Sequence, residues 1–202
     1  MQGSPASLRR LNERVVFNRL RRGGPASRAA LAKATGLSAP TVGKVVDGLL
    51  RGGLVRELDA PGDDDVAGVG RPGRVVAVDD VRPRIVAVQL GVHHTRLSAL
   101  PIAGPDDDRW TVRFATPRHA ATWAKRLRAA AGQLSLREPW AVVLSVPGVV
   151  DESAGRVLLS PNLHWTERAD VTQLVSDVWR APVHMVQEIR ALALGHRAAA
   201  PA

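Results

Sequence analysis

Thr41, Gly43, Lys44, Asp47, Gly48 and Arg51 share the helix face opposite an apolar stripe in the segment SAPTVGKVVDGLLRGG, residues 38–53. A hydroxyl and an ammonium set among small residues suit a surface that lies deep in a major groove, where base edges present their donors and acceptors. Ser38 and Ala39 begin the helix, at the end that comes nearest the bases in such a docking. Arg28 and Arg51 are candidates for phosphate oxygens, which position a protein on a duplex without reading its sequence. Arg71 stands in the frame Gly70-Arg71-Pro72-Gly73, and two readings of it stay open. An extended Gly/Pro frame suits an arginine entering a narrow minor groove, and it equally suits a wing turn with a solvated arginine.

These side chains need a scaffold of short helices, and the flanking residues supply its punctuation. Ser27 can cap a helix carrying Ala30, Leu31 and Ala34, and Gly36 supplies the left-handed conformation of a sharp turn. Ser38 caps a second helix with Pro40 in its first turn. There Val42, Val45, Val46 and Leu49 recur at i, i+3, i+4 and i+7, so one stripe is buried. The pattern is a helix-turn-helix. A preceding helix over 7–22, with Leu8, Leu11, Val15 and Leu20 inward, completes a three-helix core. Residues 54–58 and 74–79 alternate like paired strands. The polar, Gly-rich 59–73 between them reads as a flexible wing, whose Asp63, Asp64 and Asp65 form a solvated run. The first domain is thus an N-terminal all-α, winged helix-turn-helix unit over residues 1–80.

Charge supports this reading independently. Residues 1–56 hold eleven Arg and Lys against Glu13 and Asp47, an excess of nine, while the rest of the chain holds 17 basic and 17 acidic residues. A phosphate-binding domain joined to a neutral one has this footprint. The expected partner is double-stranded DNA. The chain has no cysteine, which excludes disulfides, thiolate catalysis and thiolate zinc sites within these residues. No apolar run approaches the ~20 residues of a bilayer span, and no apolar signal core follows the N-terminal basic residues. A cytoplasmic location without membrane association is expected.

Arg82-Pro83-Arg84 marks the junction to a second domain over 81–202. Segments 85–91, 95–104 and 109–116 read as an antiparallel meander. A helix over 119–134 presents Ala120, Trp123, Ala124, Leu127, Ala130 and Ala131 on one face. Residues 140–148 form an apolar run of the kind buried on both faces. A helix over 171–179, a strand over 182–188 and a helix over 189–200 follow. The order is that of an α/β, ribonuclease-H-like (actin-like) lobe. Other chemistry is poorly supported: His93 and His94 point to opposite sides of a strand, and His119, His164, His184 and His196 lack a carboxylate or thiolate partner at recognisable ligand spacing. Ser145 lacks the Gly-x-Ser-x-Gly frame of a hydrolase. The five tryptophans are scattered rather than interleaved with the basic segment, unlike a single-strand stacking platform. No catalytic residue, cofactor or metal site is expected.

A wing ending in Gly-Arg-Pro, followed by SVPGVVDESAGRVLLSPNLHW (145–165) and PVHMVQEIRALALGH (182–196), resembles the ROK family of bacterial sugar-responsive repressors and sugar kinases. Its most specific parts are the Pro147-Gly148 turn, the Gly155 hairpin, and Pro161-Asn162-Leu163 followed by Trp165. The resemblance implies a DNA-binding head on an actin-like sugar-binding body, acting as a homo-oligomer. The implied role is a transcriptional repressor of carbohydrate metabolism genes. Gly148, Asn162, Gln187 and Glu188 are then the possible remnant of a sugar site.

The departures bear on the alternative, a sugar kinase with a DNA-binding head. The family's Asp-x-Gly-Gly-Thr phosphate loop falls on Gln89-Leu90-Gly91-Val92-His93, and its Asn-Asp pair on Gln187-Glu188. Each of those two side chains is one methylene longer, and reacting geometry tolerates little displacement. Glu188 either accepts a hydrogen bond from a polyol or is a strand-end carboxylate without a ligand. The resemblance also implies a second lobe beyond Ala202. Without it the cleft is half built, and apolar surface is exposed, refolded or paired with another chain. A weak or absent sugar effector is expected, and a truncated regulator with no effector response is a third, alternative reading.

Overall fold

A computed structural model of the chain describes residues 4–58, 74–103 and 110–199. Arg71 and the wing segment 59–73 lie outside the described residues. The chain splits into two compact units, Met1–Val81 and Arg82–Ala202.

In the first unit α1 (Pro5–Gly23) starts at Ser4, whose hydroxyl oxygen accepts the Ser7 N–H. Two residues, Ala26–Ser27, form β1 and lead directly into α2 (Arg28–Thr35). The Ser27 hydroxyl oxygen caps α2 by accepting the Ala30 N–H at 3.1 Å. Gly36 turns the chain with φ 69°, its N–H donating to Ala32 O, and α3 (Ala39–Arg51) follows with the Ser38 oxygen accepting from Thr41 N–H. Val42, Val45, Val46 and Leu49 are all buried, each contributing about 1.5–3 kcal/mol relative to exposure. Strands β2 (Val55–Leu58) and β3 (Val75–Val78) pair antiparallel, Val55 opposite Val78. The sheet has a third member, β1, in the order β1-β3-β2. Two residues carry no periodicity, so the sequence reading missed this strand.

Two inward faces differ from expectation. On α1 the buried residues are Val16 and Leu20, whereas Leu8 and Leu11 are 58% and 56% exposed and Val15 is also exposed. With Glu13 and Phe17 half-buried, the inner face runs 13, 16, 17, 20, nearly half a turn from Leu8, Leu11 and Val15. Counting only leucine and valine hid it, because Glu13 and Phe17 share that side. On α2, Leu31 is buried but Ala34 is exposed; a short helix offers the core little more than one large side chain.

The second unit opens with an antiparallel meander: β4 (Ile85–Leu90), β5 (His94–Leu100) and β6 (Thr111–Ala115). Helix α4 (Ala120–Ala131) returns the chain to β7 (Ala141–Val146), which pairs parallel with β4. A hairpin of β8 (Val149–Asp151) and β9 (Arg156–Leu159) forms a separate two-stranded sheet, and a 3-10 turn spans His164–Glu167. Helix α5 (Val171–Trp179) leads to β10 (Val183–Gln187), parallel to β7, and α6 (Glu188–Ala199) ends the described chain. The sheet order is β10-β7-β4-β5-β6. One core joins Val86, Val88, Leu97, Val142, Leu144 and Val146 to Trp123, Leu127, Val175 and Trp179. Trp123 is fully buried, and its indole N–H is satisfied by Thr95 Oγ1 at 2.9 Å.

Strand β7 is not buried equally on both faces. Val142, Leu144 and Val146 are buried in the core with Trp123, Leu127 and Val175, while Ala141, Val143 and Ser145 are half-exposed. An apolar run without alternation therefore concealed a one-sided strand. Ile189 and Leu192 of α6 are 71% and 64% exposed, and Leu158 of β9 is also exposed.

Candidate nucleic-acid interface and sheet-end site

Helix α3 presents Ala39, Lys44, Asp47 and Arg51 to solvent, with Thr41 half-buried. Ser38 Oγ and Thr41 Oγ1 are 2.8 Å apart and hydrogen-bonded, so the cap and one proposed reader share a proton. Thr41, Lys44 and Arg51 line a cleft of about 580 Å³ with Leu8, Arg9 and Asn12 of α1. Gly48 does not belong to the groove face. A Cβ there would lie in ordinary contact, 3.5 Å from Arg9 and 3.6 Å from Glu13 of α1, which are ion-paired at 2.9 Å. Arg9 and Asn12 were missed; locating them needs the correct inner face of α1.

Arg28 is held by carboxylates. Its Nη2 donates to Asp47 Oδ1 at 2.9 Å and reaches Glu57 Oε1 at 3.4 Å, while Arg74 donates to Glu57 Oε2 at 2.6 Å.

At the C-terminal ends of the parallel strands, where open α/β sheets place ligands, a second cluster forms. Gln187 Nε2 donates to Gly148 O at 2.9 Å and its backbone N–H to Glu152 Oε1 at 3.1 Å. Arg190 is ion-paired with Glu152. Gln187, Arg190, Glu152, Asp151 and Ser153 line a cleft of about 550 Å³. Glu152 and Arg190 were not anticipated, since their partnership depends on the hairpin folding back toward β10. Glu188 is the first residue of α6 rather than a strand end, and it accepts a hydrogen bond from Gln89 Nε2 at 3.1 Å. Gln89 and Glu188, both departures from the kinase pattern, thus meet each other. Asn162 is exposed, in the turn before the 3-10 helix. The loop after β4 is closed on itself: Gly91 N–H donates to His94 O at 3.1 Å and Thr116 Oγ1 to Gly91 O at 2.7 Å.

Two carboxylates near the hairpin are held below their usual range. For Asp151 the main cause is the Ser153 hydroxyl, followed by the Ala154 amide; for Glu167 it is the Ser160 amide, followed by His164. His164 does have a partner, since its Nδ1 lies 3.2 Å from Glu167 Oε1; an i,i+3 pair on a helical turn escaped the spacing search. Among the described residues no group of three His, Cys, Asp or Glu could hold a metal ion, and no helix is long and apolar enough to cross a membrane.

A helix-turn-helix unit followed by an actin-like α/β lobe in one chain defines the class of the protein. Residues 85–201 match the ROK family and residues 12–64 the MarR family; the chain belongs to the ROK family. It is 33% identical over 198 residues to a transcriptional regulator of Mycobacterium tuberculosis, covering 92% of this chain and 43% of that protein. It is 22% identical over 202 residues to the N-acetylglucosamine repressor of Escherichia coli, covering 95% and 47% respectively. The chain therefore spans about half the length of the curated relatives it matches. A crystal structure of a ROK family transcriptional regulator, a homologue of the Escherichia coli MLC protein, aligns with TM-score 0.67 at 19% identity over 94% of this chain and 48% of that one. That likeness shows the shared fold.

Proposed function

We propose that this chain is a sequence-specific, duplex-DNA-binding transcriptional regulator, a repressor of carbohydrate metabolism genes. The observation that carries the reading is the exposed edge of α3, where Thr41, Lys44 and Arg51 stand beside a cleft within residues 1–56, a segment that carries eleven basic residues against two acidic ones. The relatives described as a transcriptional regulator and as an N-acetylglucosamine repressor support it. In this reading Ser38, Ala39, Thr41 and Lys44 face base edges and Arg51 faces phosphate. The whole protein acts in the cytoplasm as a homo-oligomer, a state that would also cover the apolar residues left exposed on α6.

Lys44→Ala and Thr41→Ala are each expected to weaken a duplex selected by the unaltered chain by roughly 1–3 kcal/mol, and a scrambled duplex far less. Titrations on both duplexes by fluorescence anisotropy check this; equal losses on the two would remove α3 from base reading.

The proposal includes the absence of kinase activity. Phosphoryl transfer depends almost wholly on positioning and charge stabilisation. Here the Gly91 amide is committed to His94 O, and the Gln89 amide is committed to Glu188. Sugar-dependent ATP hydrolysis is expected to stay at background. Calorimetry with hexoses and amino sugars is expected to give no dissociation constant below about 100 μM, because a small polyol needs several converging hydrogen bonds in a water-excluding cleft. Hydrolysis above background that is lost in Glu188→Gln, or tighter sugar binding, would contradict this part of the reading.

A further inference from the structure

Resting on the DNA-binding reading above, we propose that Arg28 is a positioning residue that couples α3 to the strand pair β2 and β3, and is not a phosphate contact. Arg28 is the first residue of α2, Asp47 lies midway along α3, Glu57 lies in β2, and Arg74 immediately precedes β3. One guanidinium thus joins a carboxylate on α3 to a carboxylate on β2, and Arg74 holds the second carboxylate from the other side. Both contacts come from Nη2, so a phosphate approaching the remaining nitrogens would meet a guanidinium whose charge two carboxylates already offset.

The charge count points the same way. Two arginines facing two carboxylates leave this cluster with no net charge, so it releases few counterions from DNA. Lys44 and Arg51 differ, because among the described residues no carboxylate is paired with either. Asp47 lies on the exposed side of α3, where an unpaired carboxylate would repel phosphate. Pairing with Arg28 removes that repulsion and restrains the helix. Exposed ion pairs add little to stability, and a guanidinium shared between two elements acts mainly on their relative orientation. Arg28 therefore affects base reading through α3 rather than attraction to the backbone.

The test uses the full chain, a duplex enriched from a random library by the unaltered chain, and a scrambled duplex, each titrated across salt concentrations. Arg28→Ala is expected to lower affinity for the enriched duplex about tenfold, leave the scrambled duplex within about twofold, and keep the slope of log K against log salt unchanged. Asp47→Asn is expected to lose the same selectivity, and the double variant to be no worse than either alone. A slope reduced by about 0.9 with equal loss on both duplexes would make Arg28 a phosphate contact, and unchanged selectivity would also overturn the proposal. If the unaltered chain binds no duplex, the DNA-binding reading fails, and denaturant melts still decide the coupling. The midpoint shift from Arg28→Ala should then vanish in a chain already carrying Asp47→Asn and Glu57→Gln; an equal shift in that background overturns it.

Discussion

A chain carrying Lys44→Glu and Arg51→Glu together is expected to lose duplex affinity by roughly two to three orders of magnitude, about 3–4 kcal/mol, at moderate salt. Both side chains are exposed on α3 and line the cleft shared with α1, so reversing their charge leaves Val42, Val45, Val46 and Leu49 packed as before. Two favourable interactions become two repulsive ones beside the densest line of negative charge the molecule meets. The loss should shrink as salt rises, because each phosphate contact draws part of its free energy from released counterions. Anisotropy titrations at two salt concentrations, with circular dichroism to verify folding, measure it. Affinity within a few fold of the unaltered chain at low salt would place the interface elsewhere.

The second large effect is structural. Gly148→Ala is expected to destabilise the second unit by about 2–4 kcal/mol. Gly148 has φ 107°, a conformation L side chains rarely adopt, and an added Cβ would run into the Leu159 carbonyl oxygen. Relief requires moving β9 away from the end of β7. That shift would also displace the Gly148 carbonyl from the Gln187 side chain, opening the sheet-end cluster. Denaturant unfolding followed by tryptophan fluorescence reads the loss, since the rings of Trp123 and Trp165 meet in this unit with centroids 5.6 Å apart, tilted by 44°. A midpoint unchanged from the parent chain would mean that the turn tolerates a side chain.

Legibility in the sequence followed the locality of the cause. The caps at Ser27 and Ser38, the turn at Gly36 and the α3 stripe depend on neighbours within four residues, and they lie where the pattern put them. The α1 face was misjudged because its inner side mixes Val16 and Leu20 with half-buried Glu13 and Phe17, which a search for leucine and valine spacing does not weigh. At the sheet end, Gly148 and Gln187 were named from a resemblance, but their contact with each other, and the roles of Glu152 and Arg190, arise from residues brought together across β7, the hairpin and β10. Arg28 shows the same limit more sharply. A basic residue in a basic segment looked free to meet phosphate, and only the approach of α3 and β2 supplies the carboxylates that hold it.

The parallel pairing of β7 with both β4 and β10 has a kinetic consequence. The meander from β4 to β6 closes short connections and can form as soon as its own residues are available, whereas β7 must wait for α4, and β10 for the hairpin and α5, before their partners are in reach. Closing such distant pairs costs entropy before any contact repays it. During synthesis, with the N-terminal segments emerging first, β7 can dock on β4 while its other edge still has no neighbour. For that interval Val142 to Val146 present an apolar strand with open backbone donors and acceptors, a template for pairing with another nascent chain. The arrival of β10, whose Val183 to Gln187 take register against Val142 to Val146, ends the exposure. The speed with which the last strand docks, more than the final depth of the native well, then governs how much newly made protein escapes aggregation.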